Sequence, residues 1–171
     1  MPADPVTEFE RYREEILAAL GGREPLEVMR GTLAEVRALA TGAPPERLAR
    51  SPGPGEWSPW QVLHHFVDND MVFGVRTRMI VTQERPTLVG YDQEAWNERL
   101  HRLDPDPRDT LELWMALRQS NLRLWESLTE AEWARTGLHV ERGEQTVREI
   151  VELLAGHDLV HVDQLRRGLS G

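Results

Sequence analysis

The chain of 171 residues contains no cysteine. No disulfide framework is open to it, no protein thiol can act as a nucleophile, and a metal must be held through nitrogen or oxygen. Lysine is absent too, so all 20 basic residues are arginine; this reads as a composition bias without functional meaning. Positive charge is scarce: 29 acidic residues leave a formal net charge of −9. A nucleic-acid binder needs a basic surface to neutralise phosphates, so no nucleic-acid partner is expected. No apolar run approaches the roughly 20 residues of a membrane span, so no membrane partner is expected. Met1 to Glu15 are polar and acidic, without the basic start and apolar stretch of a signal peptide. The expected compartment is therefore the cytoplasm. Strand signals and internal repeats are also scarce.

What the chain has in quantity is capped amphipathic segments. Thr7 and Glu10 form a capping-box pattern ahead of Phe9, Tyr12, Ile16 and Leu20, and Gly21-Gly22 stops that helix. Four longer segments follow. Pro25 opens one carrying Leu26, Met29, Leu33, Val36 and Ala40. Ser58-Pro59-Trp60-Gln61 opens a second, with Ser58 as cap, Pro59 at the first helical position and Gln61 reaching back; it is expected to run to about Gln83. A third spans about Asp109 to Leu128, with Leu113, Leu117, Leu124 and Leu128 expected on its buried side. Thr146 and Glu149 cap the fourth, which ends near Gly168. Residues 41 to 56 read as a Gly- and Pro-rich loop with one turn near Glu46 to Leu48. Residues 84 to 107 form a long connection with a short helix at Gln93 to Leu100. Thr129 to Glu132 caps a further short turn, and Leu138 to Gln145 is extended, turning at Gly143. The pattern predicts one all-α domain over residues 1–171. It is a four-helix bundle with a short extra helix between the second and third long helices.

The fourth segment carries the chemistry. Its apolar seam runs Val147, Ile150, Leu154, His157, His161, Gln164, in steps of 3, 4, 3, 4, 3 that keep all six on one face. A core seam favours Leu or Ile at each step, and buried polar groups are costly unless paired or bound. Histidines four apart on one face can close on a single metal ion. A third ligand is sought on the second long segment. At 100° per residue, Val62, Phe66, Asn69, Val72, Phe73 and Ile80 lie around the direction of His65. His64 turns further round, towards Leu63 and Trp60. His65 is thus the inward candidate, although a lone His65 would more often be a hydrogen-bonded core residue. His65, His157 and His161 together would hold a metal and leave a position for water or substrate.

The surroundings offer further candidates. Asp68 lies one turn from His65, and Asp158, Asp163 and Gln164 flank the other pair; each can accept the distal N–H of a ligand imidazole, though surface salt bridges are the favoured reading of Asp158 and Asp163. Arg76 projects near His65 and either binds an anionic substrate or pairs with a carboxylate at the bundle end. His101 and His139, in connections, read as surface or structural groups, and the six tryptophans mostly as core or cap residues. Trp114, Trp125, Leu122 and Leu39 lie outside the tightest stripes, which makes a homodimer the expected assembly.

Trp57-Ser58-Pro59, Val62-Leu63-His64-His65-Phe66-Val67-Asp68, Glu84-Arg85-Pro86 and Tyr91-Asp92-Gln93-Glu94-Ala95-Trp96 follow one another in order. Leu138-His139-Val140-Glu141-Arg142-Gly143, Gly156-His157 and His161-Val162-Asp163-Gln164-Leu165 complete the series. From about Gly55 to Arg167 the chain resembles the DinB/YfiT-like superfamily of metal-binding four-helix bundles. The resemblance implies one ligand histidine on the second long helix and an H-x-x-x-H pair on the last, which fall on His65, His157 and His161. The divalent ion it implies is Zn²⁺ or Ni²⁺. It further implies a metal-dependent hydrolase, or an S-transferase that uses a low-molecular-weight thiol such as bacillithiol on an electrophilic small molecule; a non-catalytic, stress-related metal-binding protein is the third reading. The stretch Ala155 to His161 departs from the more histidine-rich, aromatic sequence usual in the YfiT-like branch.

Overall fold

Five long helices and a small sheet build the molecule, in a computed structural model that describes residues 8–100 and 106–170. Helix α1 (Phe9–Leu20) ends on Gly21, which takes a left-handed φ of 63°. Thr7 and His101 lie outside the described residues. Helix α2 (Pro25–Gly42) starts with proline at its first position, and the turn expected near Glu46 is α3 (Pro45–Ala49). Helix α4 (Pro59–Thr82) opens on the expected reciprocal cap: Gln61 N donates to Ser58 Oγ at 3.2 Å, and Ser58 N to Gln61 Oε1 at 2.9 Å. The connection after it holds strand β1 (Thr87–Leu88) and helix α5 (Gln93–Arg99). Helix α6 (Pro107–Glu126) and the capped turn α7 (Glu130–Trp133) come next. Strands β2 (Thr136–His139) and β3 (Gly143–Thr146) then lead into α8 (Val147–Ser170). Thr146 and Glu149 exchange the bonds expected of that start, at 3.1 and 2.8 Å.

The four-helix bundle consists of α2, α4, α6 and α8. Helix α2 packs on α6 and α8, and α4 packs on the same two; α1 lies along α8. Consecutive long helices α2 and α4 therefore sit across a diagonal, as do α6 and α8. Gly156 permits the approach of α1: a Cβ there would lie 2.3 Å from the Ile16 carbonyl oxygen.

Two readings of the sequence are corrected. The buried face of α6 is Leu111, Trp114, Arg118, Asn121, Leu122 and Trp125, whereas Leu113 is 48% exposed. Following the leucines put the stripe about one residue out of phase, because this helix buries its tryptophans and a polar network instead. Trp114, Trp125 and Leu122 are therefore core residues, and the apolar surface they offered for a homodimer does not exist. The other correction is a three-stranded sheet, β1 parallel to β2 and β2 antiparallel to β3. A two-residue strand such as β1 has no periodicity to detect.

The core is layered along the bundle. One apolar layer contains Met29, Phe73, Ile80, Trp125, Ile150 and Leu154. The other contains Val36, Val62, Phe66, Trp114, Val162 and Leu165. On every helix of the bundle, the residues between these layers are buried and polar: Thr32, Asn69 and Asp70, Arg118 and Asn121, His157 and Asp158. His65 and His161 border the same level. Arg118 is the hub. Its Nε donates to Asp70 at 3.0 Å, its Nη2 to Asp158 Oδ1 at 3.1 Å, and Nη1 bonds the other Asp158 oxygen. Trp114, Asn121 and Thr32 saturate the remaining carboxylate oxygens. Buried charge is tolerated because every carboxylate oxygen has a donor. Burial lowers the Arg118 pKa, but the two carboxylates outweigh it and hold the guanidinium above its ordinary value.

A candidate metal centre

His65 on α4 and His157 and His161 on α8 converge from adjacent helices within this polar layer. They are 1%, 6% and 6% exposed, and each offers a ring nitrogen within 4.8 Å of the other two. His65 Nε2 and His157 Nε2 are 3.1 Å apart. Two imidazoles on one tetrahedral Zn²⁺ have their nitrogens about 3.3 Å apart, so the pair is already near ligating distance. His161 donates Nδ1–H to Gln164 Oε1 at 2.7 Å, which fixes the tautomer whose Nε2 lone pair is available to an ion. The donor set, three buried neutral nitrogens without a thiolate or carboxylate, suits a divalent cation of the imidazole-binding class.

Neighbouring side chains wall the triad. Trp57, the residue before the α4 cap, sets its ring 4.9 Å from His65 edge-on and 6.2 Å from His161 in a stacked pose. Its indole N–H donates to Glu94 on α5 at 3.2 Å, tying the connection to the site. Asn69, one turn past His65, donates to the His65 carbonyl at 2.9 Å and has its Nδ2 3.0 Å from His65 Nε2. The Tyr91 hydroxyl donates to Asn69 Oδ1 at 3.1 Å, and Tyr91 packs on Trp96 at 4.6 Å. The connection thus covers this side of the triad, as its length suggested.

The other candidates are distributed as follows. His64 faces Trp60 and Thr110, away from the triad. Asp158 is fully buried in the Arg118 network, so its expected surface salt bridge is replaced by an internal one. Its carboxyl is pushed up, by burial first, with Arg118 opposing. Asp163 is exposed and pairs with Arg167, as read from the sequence. Asp68 is buried. His139 is structural and buried: the Glu141 amide donates to its Nδ1 at 3.2 Å, and Arg76 Nη2 lies 3.2 Å from its Nε2. Arg76 also donates to the Val89 carbonyl at 2.7 Å. Trp57, Asn69 and Arg142 are not among the residues the sequence singles out for the site; Tyr91 and Trp96, in the long connection from Glu84 to Pro107, are the ones expected to cover its mouth. Asn69 was detectable in principle, at i+4 from His65, and Trp57 occupies the position of a helix staple. Nothing local marks Arg142, in a hairpin turn.

Burial holds the imidazoles neutral. His161 is pushed down to about 4 by burial, His157 well down by burial and then by His161, His65, Arg118 and Arg142, and His139 down to about 4 by burial, Arg76 and Arg142. Each folded value lies below the ordinary 6.5, so between about pH 6.5 and 4 the unfolded chain binds protons that the folded chain refuses. The metal-free protein is therefore expected to be most stable above pH 6.5 and to lose stability as pH falls towards 4. His161 alone contributes roughly 3 kcal/mol of that loss. Urea-unfolding midpoints at pH 7.5, 6 and 5 measure it; His161→Gln should flatten the profile, and an unchanged profile in that variant would contradict the assignment.

Comparison with known proteins agrees with this geometry. The model of the DinB superfamily matches residues 29–165. The "Putative metal-dependent hydrolase YfiT" of Bacillus subtilis (strain 168) is 29% identical over 120 residues, 68% of this chain and 67% of that one. The "Putative metal-dependent hydrolase OB0413" of Oceanobacillus iheyensis is 28% identical over 129 residues, 73% of this chain and 72% of its own. The solved YfiT structure from Bacillus subtilis, described as "a probable metal-dependent hydrolase with an unusual four-helix bundle topology", superposes with a TM-score of 0.74 at 22% identity, over 99% of this chain and 93% of that one. The diagonal placement of consecutive helices is thus a shared fold, and with its family model spanning all four bundle helices the chain belongs to the DinB superfamily.

Proposed function

We propose that His65, His157 and His161 hold one Zn²⁺ or Ni²⁺ ion, and that the chain transfers a low-molecular-weight, bacillithiol-like thiol onto an electrophilic small molecule. The carrying observation is the composition of the cluster: three imidazoles and, among the described residues, no carboxylate within the group of ligand atoms. Neutral ligands leave the ion's charge undiminished, and a bound ion of this kind lowers the pKa of a coordinated thiol or water, supplying a nucleophile at neutral pH. The protein has no thiol of its own, so the sulfur is the co-substrate's. In the transfer, sulfur bonds to the electrophilic carbon, the carbon–halogen bond breaks with its electron pair leaving on the halide, and the thiol proton passes to solvent. Gln164 fixes His161, Asn69 braces His65, and Trp57 and Tyr91 limit the approach of water. The cytoplasm, where small thiols are kept reduced, is the compartment in this reading. A homodimer belongs to it through the family resemblance.

Hydrolysis is the second reading, favoured by the names of the relatives. Metal-loaded protein incubated with bacillithiol and a chlorinated aromatic is expected to give a conjugate of the summed mass less HCl, absent after chelation. No conjugate with any cellular thiol, beside metal-dependent ester or amide hydrolysis, would replace the transferase by the hydrolase. Neither activity would leave the ion as a staple of the bundle.

A further inference from the structure

Two arginines, one on α4 beyond His65 and one in the β2–β3 turn, form no ion pair among the described residues. Arg76, on α4, is 4% exposed. Its Nη2 is engaged by the Val89 carbonyl and His139, its guanidinium lies 5.2 Å over the Phe73 ring, and its Nε is buried without a hydrogen-bond partner. Arg142, at the β2–β3 turn, is half-buried, lies 5.0 Å over the Phe9 ring, and likewise has a buried Nε with no partner. The two guanidiniums repel each other, and with burial this lowers Arg76 to about 10. Arg142 acts electrostatically on Arg76, Tyr12, Tyr91 and His157. Glu141 and Asp68 are the carboxylates that act on the group, Glu141 on both arginines and Asp68 on Tyr91. The cluster is joined to the triad through Tyr91, Asn69 and His65.

Two buried cations kept close together, each with an unused donor, are costly unless something anionic visits them. The buried charges of the Asp70–Arg118–Asp158 network, by contrast, are all paired. A ligand explains the contrast. We propose that Arg76 and Arg142 bind a carboxylate group of the substrate and so orient it against the histidine triad. The class is a carboxylate because Arg76 has already committed Nη2 to Val89 and His139. The two buried donors without a partner, Arg76 Nε and Arg142 Nε, match the two oxygens of a carboxylate. The inference rests on the triad being the reaction centre, and it names the substrate class: a small carboxylate-bearing molecule, the thiol in the transfer reading.

Titration calorimetry of metal-loaded protein tests it with mercaptosuccinate, 2-mercaptoethanol, succinate, succinamide and inorganic phosphate. Mercaptosuccinate is expected to bind at least tenfold tighter than 2-mercaptoethanol, and succinate at least tenfold tighter than succinamide, with and without metal. Arg142→Gln, at the less buried arginine, should cut both ratios severalfold while leaving 2-mercaptoethanol unchanged; Arg76→Gln, checked for folding by circular dichroism, should do the same. Equal binding of the acid and its amide, or ratios untouched in Arg142→Gln, would overturn the site. Phosphate binding tighter than succinate would overturn the carboxylate class. If succinate binds through the arginines but neither thiol responds to metal, the site stands and the thiol reading falls.

Discussion

Replacing Arg118 with alanine is expected to destabilise the protein by about 3–5 kcal/mol, the cost of removing one partner from a buried ion-pair network. Arg118 and Asp158 are fully buried and Asp70 is 1% exposed, so the change leaves two carboxylates facing each other without water or a counter-cation. A domain of this size has about 5–15 kcal/mol in total, so the loss takes a large share of it. In thermal unfolding the midpoint should fall by roughly 10 °C. Asp70→Asn with Asp158→Asn in the Arg118→Ala background should recover part of the loss, because it removes the stranded charges. An unchanged midpoint in Arg118→Ala would show that the polar layer is hydrated in solution. The network also spans α4, α6 and α8, and Asp158 is the direct neighbour of His157. Its loss is therefore expected to weaken metal binding as well, through the position of α8 rather than through any ligand.

The second large effect is on the metal itself. His157→Ala should abolish stoichiometric binding of Zn²⁺ or Ni²⁺, because His157 is the imidazole whose Nε2 lies 3.1 Å from His65, and the remaining two nitrogens leave half of a tetrahedron without protein ligands. His64→Ala, whose ring faces Trp60 and Thr110 instead of the triad, should leave the stoichiometry at one. Elemental analysis of protein purified without a nickel column reads both. Full metal content in His157→Ala would remove that residue from the site. The same variant removes a buried imidazole held neutral by its surroundings, so its metal-free form should lose less stability than the metal-free parent as pH falls from 7.5 to 5.

The legibility of this chain follows what local chemistry can announce. Ser58, Thr129 and Thr146 each cap a helix through bonds within four residues, so the starts of α4, α7 and α8 were readable from spacing. His157 and His161 stood out because one helical face fixes their relation to each other, and His65 because Val62, Phe66, Val72, Phe73 and Ile80 share its face. The face of α6 was misread for the complementary reason: Arg118 and Asn121 are buried by partners on α4 and α8 that are 40 or more positions distant, and a polar residue alone in sequence looks like a surface one. Asp158 was read as exposed on the same ground. Strand β1 is made by its partner, not by its own two residues. The Arg76–Arg142 pair needs α4 and the β2–β3 turn brought together, which only the fold does.

X-ray absorption on the metal-loaded wild-type protein tests the triad most directly. Three imidazole nitrogens at about 2.0–2.1 Å from a single ion, with the remaining coordination completed by an exchangeable light atom, is the predicted result. Fewer than three imidazoles, or a fourth ligand from the protein that does not exchange, would contradict a catalytic centre built on His65, His157 and His161.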